Sequence, residues 1–133
     1  MRSATLFATL ALLLAAVGCS GSAAAEDSPQ VIDAQGAVAL LDDRDDLTII
    51  DVRTPEEYAS GHLASAELVD IQAPRFEDRI AGFDPSGAYV IYCRTGNRSA
   101  VAAEVMDDLG FEEVYDAGGF DELASTGLPT GGS

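Results

Sequence analysis

From Gln30 onward, short apolar runs alternate with stretches of helical spacing. Val31-Ile32 predicts a brief strand, and Ala34 to Leu41 a helix with Val38 and Leu41 three apart. The β-branched run Thr48-Ile49-Ile50-Asp51-Val52 predicts a strand ending in the turn Arg53-Thr54-Pro55. With Thr54 as cap, Pro55 at the first helical position and Glu56-Glu57 after it, a short helix runs through Ala59, and Gly61 ends it. A weaker strand is expected at Ala66 to Val69, and a helical turn or two at Arg75 to Ile80. Ala88-Tyr89-Val90-Ile91-Tyr92 is the strongest strand, introduced by the turn Asp84-Pro85-Ser86-Gly87. Ser99 is placed to cap a helix reaching about Leu109, with Val101, Val105 and Leu109 on one face and Gly110 as its stop. Glu113-Val114-Tyr115 predicts a last strand, and Phe120 to Ala124 a final short helix. This alternation predicts one α/β domain over residues 30–133, with a mainly parallel central sheet of about five strands flanked by helices.

The first residues break the alternation. Met1-Arg2-Ser3 carries one positive charge, an apolar run follows from Leu6 to Val17, and Gly18-Cys19-Ser20 closes it. A basic start, a short apolar stretch and small residues at its end describe an export signal over residues 1–18. As a helix the run spans roughly 18 Å, short of the ~30 Å hydrocarbon core, so a permanent spanning helix is not expected. Ala16-Val17-Gly18-Cys19 resembles the lipobox of bacterial lipoproteins, with Ala16 where leucine is usual. That resemblance implies lipidation at Cys19 and a protein exported to the cell membrane, periplasm or envelope and held there by its lipid. Residues 19–29 then read as a flexible tether. The other reading is an ordinary signal peptide cut near Ala23-Ala24-Ala25, with Cys19 discarded.

Charge and cysteine count narrow the chemistry. The 133 residues include 23 acids against seven bases, a net charge of −16, and no lysine. Such a surface repels phosphate backbones, so no nucleic-acid partner is expected. With Cys19 lipidated, Cys93 has no intrachain partner, which excludes a structural disulfide. A single histidine, His62, gives poor support for zinc, and no metal or other cofactor is called for.

The candidate chemistry lies in Tyr92-Cys93-Arg94-Thr95-Gly96-Asn97-Arg98-Ser99. It follows the best strand and opens a helix, where α/β proteins place ligand sites. A helix start leaves N–H groups free to converge on one point and contributes about half a positive charge. Arg94 and Arg98 add two full charges, and Gly96 permits a tight turn. All of these favour the thiolate of Cys93, the nucleophilic form. The alternative is a buried, inert cysteine; two arginines, a glycine and an asparagine in the next five positions make a poor core element.

Cys93-Arg94-Thr95-Gly96-Asn97-Arg98-Ser99 resembles the active-site loop of the rhodanese family of single-domain sulfurtransferases. Asp51-Val52-Arg53, Pro55-Glu56-Glu57-Tyr58 and Gly61-His62 are similar to the family's amino-terminal signature, and Gly118-Gly119 with Gly127-Leu128-Pro129 to its carboxyl-terminal one. The likeness covers about residues 30 to 130. It implies that Cys93 takes a sulfane sulfur from a donor such as thiosulfate and passes it to a thiol or cyanide. It also implies that amides from Arg94 to Ser99 cradle the persulfide, that Arg94 and Arg98 favour small anionic donors, and that Asp51 and Arg53 support the loop. The plainer reading of Asp51 and Arg53 is a partly exposed ion pair worth ~0–1 kcal/mol. Two departures concern packing: Leu63-Ala64-Ser65 replaces an apolar residue, proline and glycine, and Leu123 stands near the place of a usual tryptophan. His62 reads as part of a structural turn, and the glycosylation pattern Asn97-Arg98-Ser99 is discounted inside this loop.

Rival functions remain in view. A cysteine phosphatase of this fold has five residues between cysteine and arginine, whereas four separate Cys93 from Arg98. A thiol-disulfide oxidoreductase lacks its Cys-x-x-Cys pair. An envelope sulfur-binding or sensing module with little turnover is the rival from another class. The protein is expected to act as a monomer. For the anchor, Cys19→Ala should abolish incorporation of labelled lipid in a bacterial host, and continued labelling would refute the assignment.

Overall fold

The structure, a computed structural model, describes residues 28–132, so the signal segment, Cys19 and most of the tether lie outside the described residues. The chain forms β1 (Gln30–Val31), α1 (Ala34–Asp43), β2 (Leu47–Asp51), α2 (Pro55–Ala59), β3 (His62–Leu63) and β4 (Glu67–Leu68). It continues with α3 (Phe76–Ile80), β5 (Ala88–Cys93), α4 (Asn97–Asp108), β6 (Glu113–Gly119), α5 (Phe120–Ser125) and β7 (Thr130–Gly131). Five strands make one parallel sheet in the order β1-β6-β5-β2-β4, as the alternation predicts. A separate antiparallel pair, β3 with β7, was not foreseen, because two-residue strands carry no periodicity.

β5 is the middle strand, and all of its residues are buried. Side chains alternate across a strand. Tyr89, Ile91 and Cys93 therefore meet Ala102, Ala103 and Met106 of α4, while Val90 and Tyr92 pack with Ala37 of α1 and Leu123 of α5. Strand direction and this alternation together set Cys93 at the carboxyl end of the sheet, on the α4 side.

α4 departs from the sequence expectation in two respects. It starts at Asn97 with Gly96 as cap, at a φ of 98° that glycine tolerates, and Ser99 is buried within the first turn instead of capping it. Its buried face is Ser99, Ala102, Ala103 and Met106, whereas Val101 and Leu109 are exposed and Val105 is only partly covered. Small side chains let the helix approach the sheet closely, and one methionine fills the remaining gap.

The unusual turn after Gly61-His62 has a local explanation. Ser65 stands at a φ of 68°, the left-handed region that favours glycine, so serine bears strain where the resembling family has glycine. His62 stacks on Tyr58, ring centroids 3.7 Å apart, and its Nδ1 lies 2.9 Å from the Tyr58 carbonyl oxygen, in the structural place expected of it. At the other end of the domain, the Ser28 hydroxyl accepts from the Val114 N–H at 3.1 Å, which ties the end of the expected tether to β6.

The face assigned to α4 sets a test. Met106→Ala, which empties a fully buried position, is expected to cost about 2–5 kcal/mol, and Val101→Ala less than about 1 kcal/mol. Urea denaturation of both variants measures the difference, and equal losses would return the helix to the face read from the sequence.

Candidate active site

Three residues, Arg94-Thr95-Gly96, turn the chain from β5 into α4. The N–H groups that a helix start leaves unpaired are here directed at sulfur. Gly96 N–H donates to Cys93 Sγ at 2.9 Å, and Sγ lies 3.5 Å from the Ser99 hydroxyl oxygen. That hydroxyl in turn donates to the Gly96 carbonyl at 3.1 Å. Cys93 itself is fully buried. Burial pushes its thiol up, but the Ser99 hydroxyl and the N–H groups of Ser99, Gly96 and Thr95 outweigh burial and leave the thiol below its ordinary value.

Backbone contact fixes the loop from outside. A Cβ on Gly119 would stand 2.7 Å from the Arg94 carbonyl oxygen, and one on Gly96 would meet the Cα of Gly118 at 3.5 Å. The glycine pair that marks the carboxyl-terminal signature is thus where β6 touches the loop without a side chain between.

The two loop arginines are unequal, which corrects the picture of two free cations ionising the sulfur. Arg98 Nη1 and Nη2 each donate at 2.8 Å to a different carboxylate oxygen of Glu57. Glu57 is fixed in turn by a capping box at the start of α2. Thr54 N–H donates to its carboxylate at 3.0 Å, and Glu57 N–H donates to the Thr54 hydroxyl at 3.3 Å. Arg98, ahead of the Thr54 contacts, holds the Glu57 carboxyl down at about 2. Arg94 is exposed and forms no ion pair among the described residues.

Asp51 and Arg53 form a buried pair, not the partly exposed one that the plainer reading supposed. Arg53 Nη2 donates to Asp51 Oδ2 at 2.7 Å and to the Gly61 carbonyl at 2.6 Å, and Arg53 N–H donates to Asp51 Oδ1 at 2.9 Å. The guanidinium carbon lies 4.3 Å from the ring centroid of Phe120 and 5.5 Å from that of Tyr92. The pair therefore braces the Gly61 turn, Phe120 and Tyr92, the last two being the neighbours of Gly119 and Cys93, and touches the loop itself through none of its own hydrogen bonds among the described residues.

An open cleft of about 370 Å³ beside the loop is lined by Arg53, Glu57, Ser60, Arg94, Phe120 and Asp121. Of the loop residues named from sequence, Cys93, Thr95, Gly96 and Ser99 converge on sulfur, Arg94 faces the cleft, Asn97 opens α4, and Arg98 turns to Glu57. Sequence reasoning placed Glu57 at the start of a helix and in the amino-terminal signature, and Phe120 at the start of the last helix, but gave neither of them, nor Asp121, a part in the site. The spacing Thr54-x-x-Glu57 could have fixed the carboxylate at a helix start, but nothing local announced its partner.

A family model described as "Rhodanese-like domain" matches residues 33–126. The chain is 34% identical over 77 residues to the thiosulfate sulfurtransferase PspE of Escherichia coli, covering 56% of this chain and 72% of that protein. It is 31% identical over 101 residues to the thiosulfate sulfurtransferase GlpE of Pseudomonas fluorescens, covering 75% and 82%. Among solved structures, the rhodanese-like domain of an Anabaena protein superposes with a TM-score of 0.70 at 26% identity, covering 80% of this chain and 81% of that one. The polysulfide-sulfur transferase homodimer of Wolinella succinogenes gives 0.64 at 29% identity, covering 78% and 79%. Parallel sheet, strand-to-helix cysteine loop and family match agree, and this chain belongs to the rhodanese-like family.

Proposed function

We propose that this chain is a sulfurtransferase that moves a sulfane sulfur from thiosulfate or a similar donor to a thiol or cyanide through a Cys93 persulfide. One observation carries the reading: the Gly96 N–H, 2.9 Å from Sγ, is aimed at a sulfur whose surroundings would otherwise keep it protonated. An inert core cysteine needs no such donor. In the first half-reaction the Cys93 thiolate attacks the outer sulfur of thiosulfate, the donor's S–S bond breaks, and sulfite leaves with the electron pair. The negative charge now sits on the outer persulfide sulfur, bonded to the Sγ that receives the Gly96 N–H and beside the start of α4. In the second, the acceptor thiolate or cyanide attacks that outer sulfur, and the Cys93 thiolate leaves.

Membership of the family and relatives named as thiosulfate sulfurtransferases support this reading. The engagement of Arg98 with Glu57 counts against a phosphatase, which needs that guanidinium for its phosphate. A sensing or sulfur-holding role with little turnover is favoured by one observation, the complete burial of Cys93. We further place the domain outside the cytoplasm, acting as a monomer on a lipid at Cys19.

Intact mass spectrometry separates the readings. Incubation with thiosulfate should add one sulfur atom to the wild-type protein and none to Cys93→Ser, and cyanide should then remove it as thiocyanate over repeated cycles. Uptake without release would favour sensing, and no uptake from several sulfane donors would contradict both. Ser99→Ala, which removes the hydroxyl 3.5 Å from the sulfur, should slow uptake at neutral pH by roughly tenfold.

A further inference from the structure

The Cys93 loop and the cleft that borders it at Arg94 carry less positive charge than Arg53, Arg94 and Arg98 suggest. Arg53 is locked to Asp51, and both amino groups of Arg98 are taken by Glu57. Asp121 lines the same cleft as Arg94, in a chain whose net charge is −16. We propose that Glu57 is a specificity-determining residue: by compensating Arg98 it leaves Arg94 as the single unpaired cation, among the described residues, in the loop beside Cys93, and so tunes the site to sulfane donors with one negative charge over dianions.

The geometry makes this compensation durable. The pair is bidentate, with 24% of each side chain exposed, so solvent screens it only in part. Glu57 is held from its own helix by Thr54, so the carboxylate is in place before any donor arrives. With its carboxyl held down at about 2, first by Arg98, Glu57 stays ionised at every pH where the thiolate is useful. A site built for a dianion such as thiosulfate would gain from two free guanidiniums, and this one withholds the second. A singly charged donor of the thiosulfonate class, whose sulfane sulfur leaves a sulfinate behind, meets one cation with one charge. The donor half of this inference rests on the sulfurtransferase reading; the charge half does not.

Two alkylating reagents of nearly equal size read the charge directly. Iodoacetamide is neutral and iodoacetate is an anion; both form the same Sγ–carbon bond and release iodide. Their rate ratio on one sample therefore cancels changes in thiolate fraction or access. Glu57→Gln, which keeps an acceptor for Thr54, should raise the iodoacetate-to-iodoacetamide ratio by about three- to tenfold, as expected for one unmasked charge nearby. Arg98→Gln should lower it by a similar factor, and Arg98→Lys should restore the wild-type ratio. Opposite signs in the two neutralising variants distinguish charge from damage to the loop. In sulfur transfer, wild-type kcat/KM should be higher for methanethiosulfonate than for thiosulfate, and Glu57→Gln should shift the preference toward thiosulfate. Unchanged alkylation ratios, ratios that move together in both variants, or a wild-type preference for thiosulfate would overturn the proposal. If the alkylation ratios move as expected while neither donor loads the protein, the sulfurtransferase reading falls and the charge assigned to Glu57 stands.

Discussion

A thiol enclosed by protein ordinarily stays protonated, because a low-dielectric interior penalises the anion. Cys93 is enclosed, yet Gly96 N–H, Thr95 N–H and the N–H and hydroxyl of Ser99 act on its sulfur and more than offset that penalty. The remaining architecture keeps those donors aimed. The parallel sheet delivers Cys93 at its carboxyl end, the strand-to-helix turn takes only three residues, and the glycine pair of β6 lets a second backbone press on the loop. Loss of the side-chain-free contact at Gly119 would force the Arg94 carbonyl to move, and with it the turn that orients Gly96.

Two ion pairs share the work around this loop in different ways. Asp51 with Arg53 is buried and satisfied by the Gly61 carbonyl and the Arg53 backbone N–H, the condition under which a buried pair is tolerable. It braces the wall of the cleft. Glu57 with Arg98 is partly exposed and spans from α2 to α4 across the loop. It sets charge as well as position, so one of the two arginines that the sequence offers to anionic donors is already engaged.

Much of this was legible in the residues, and the failures are local and explicable. The strand at β5 and the capped start of α2 follow from a fully apolar run and from Thr54-Pro55-x-Glu57, signals that need no tertiary context. The nucleophile stood out because a charged, glycine-bearing segment follows a core strand. The buried face of α4 was misread because alanines at 102 and 103 score weakly against Val101 and Leu109, although close packing favours the smaller side chains. Ser99 looked like a cap because neither the start of α4 two residues earlier nor the turn of its hydroxyl to the Gly96 carbonyl can be read from spacing. Glu57 and Arg98 are 41 positions apart, so their pairing belongs to the fold and not to any window of sequence.

The central claim is that hydrogen-bond donors, and not free arginines, ionise a buried sulfur. It is tested most directly by following the ultraviolet absorbance of the Cys93 thiolate against pH in the folded domain, with Cys93→Ser as the blank. Because the folded thiol is lowered, the absorbance should rise as pH climbs through a midpoint below the ordinary thiol value of 9.0. The midpoint should stay below that value when both Arg94 and Arg98 are replaced by glutamine. A midpoint at or above the ordinary value in the wild-type protein, or one that returns to it once the arginines are gone, would contradict the account.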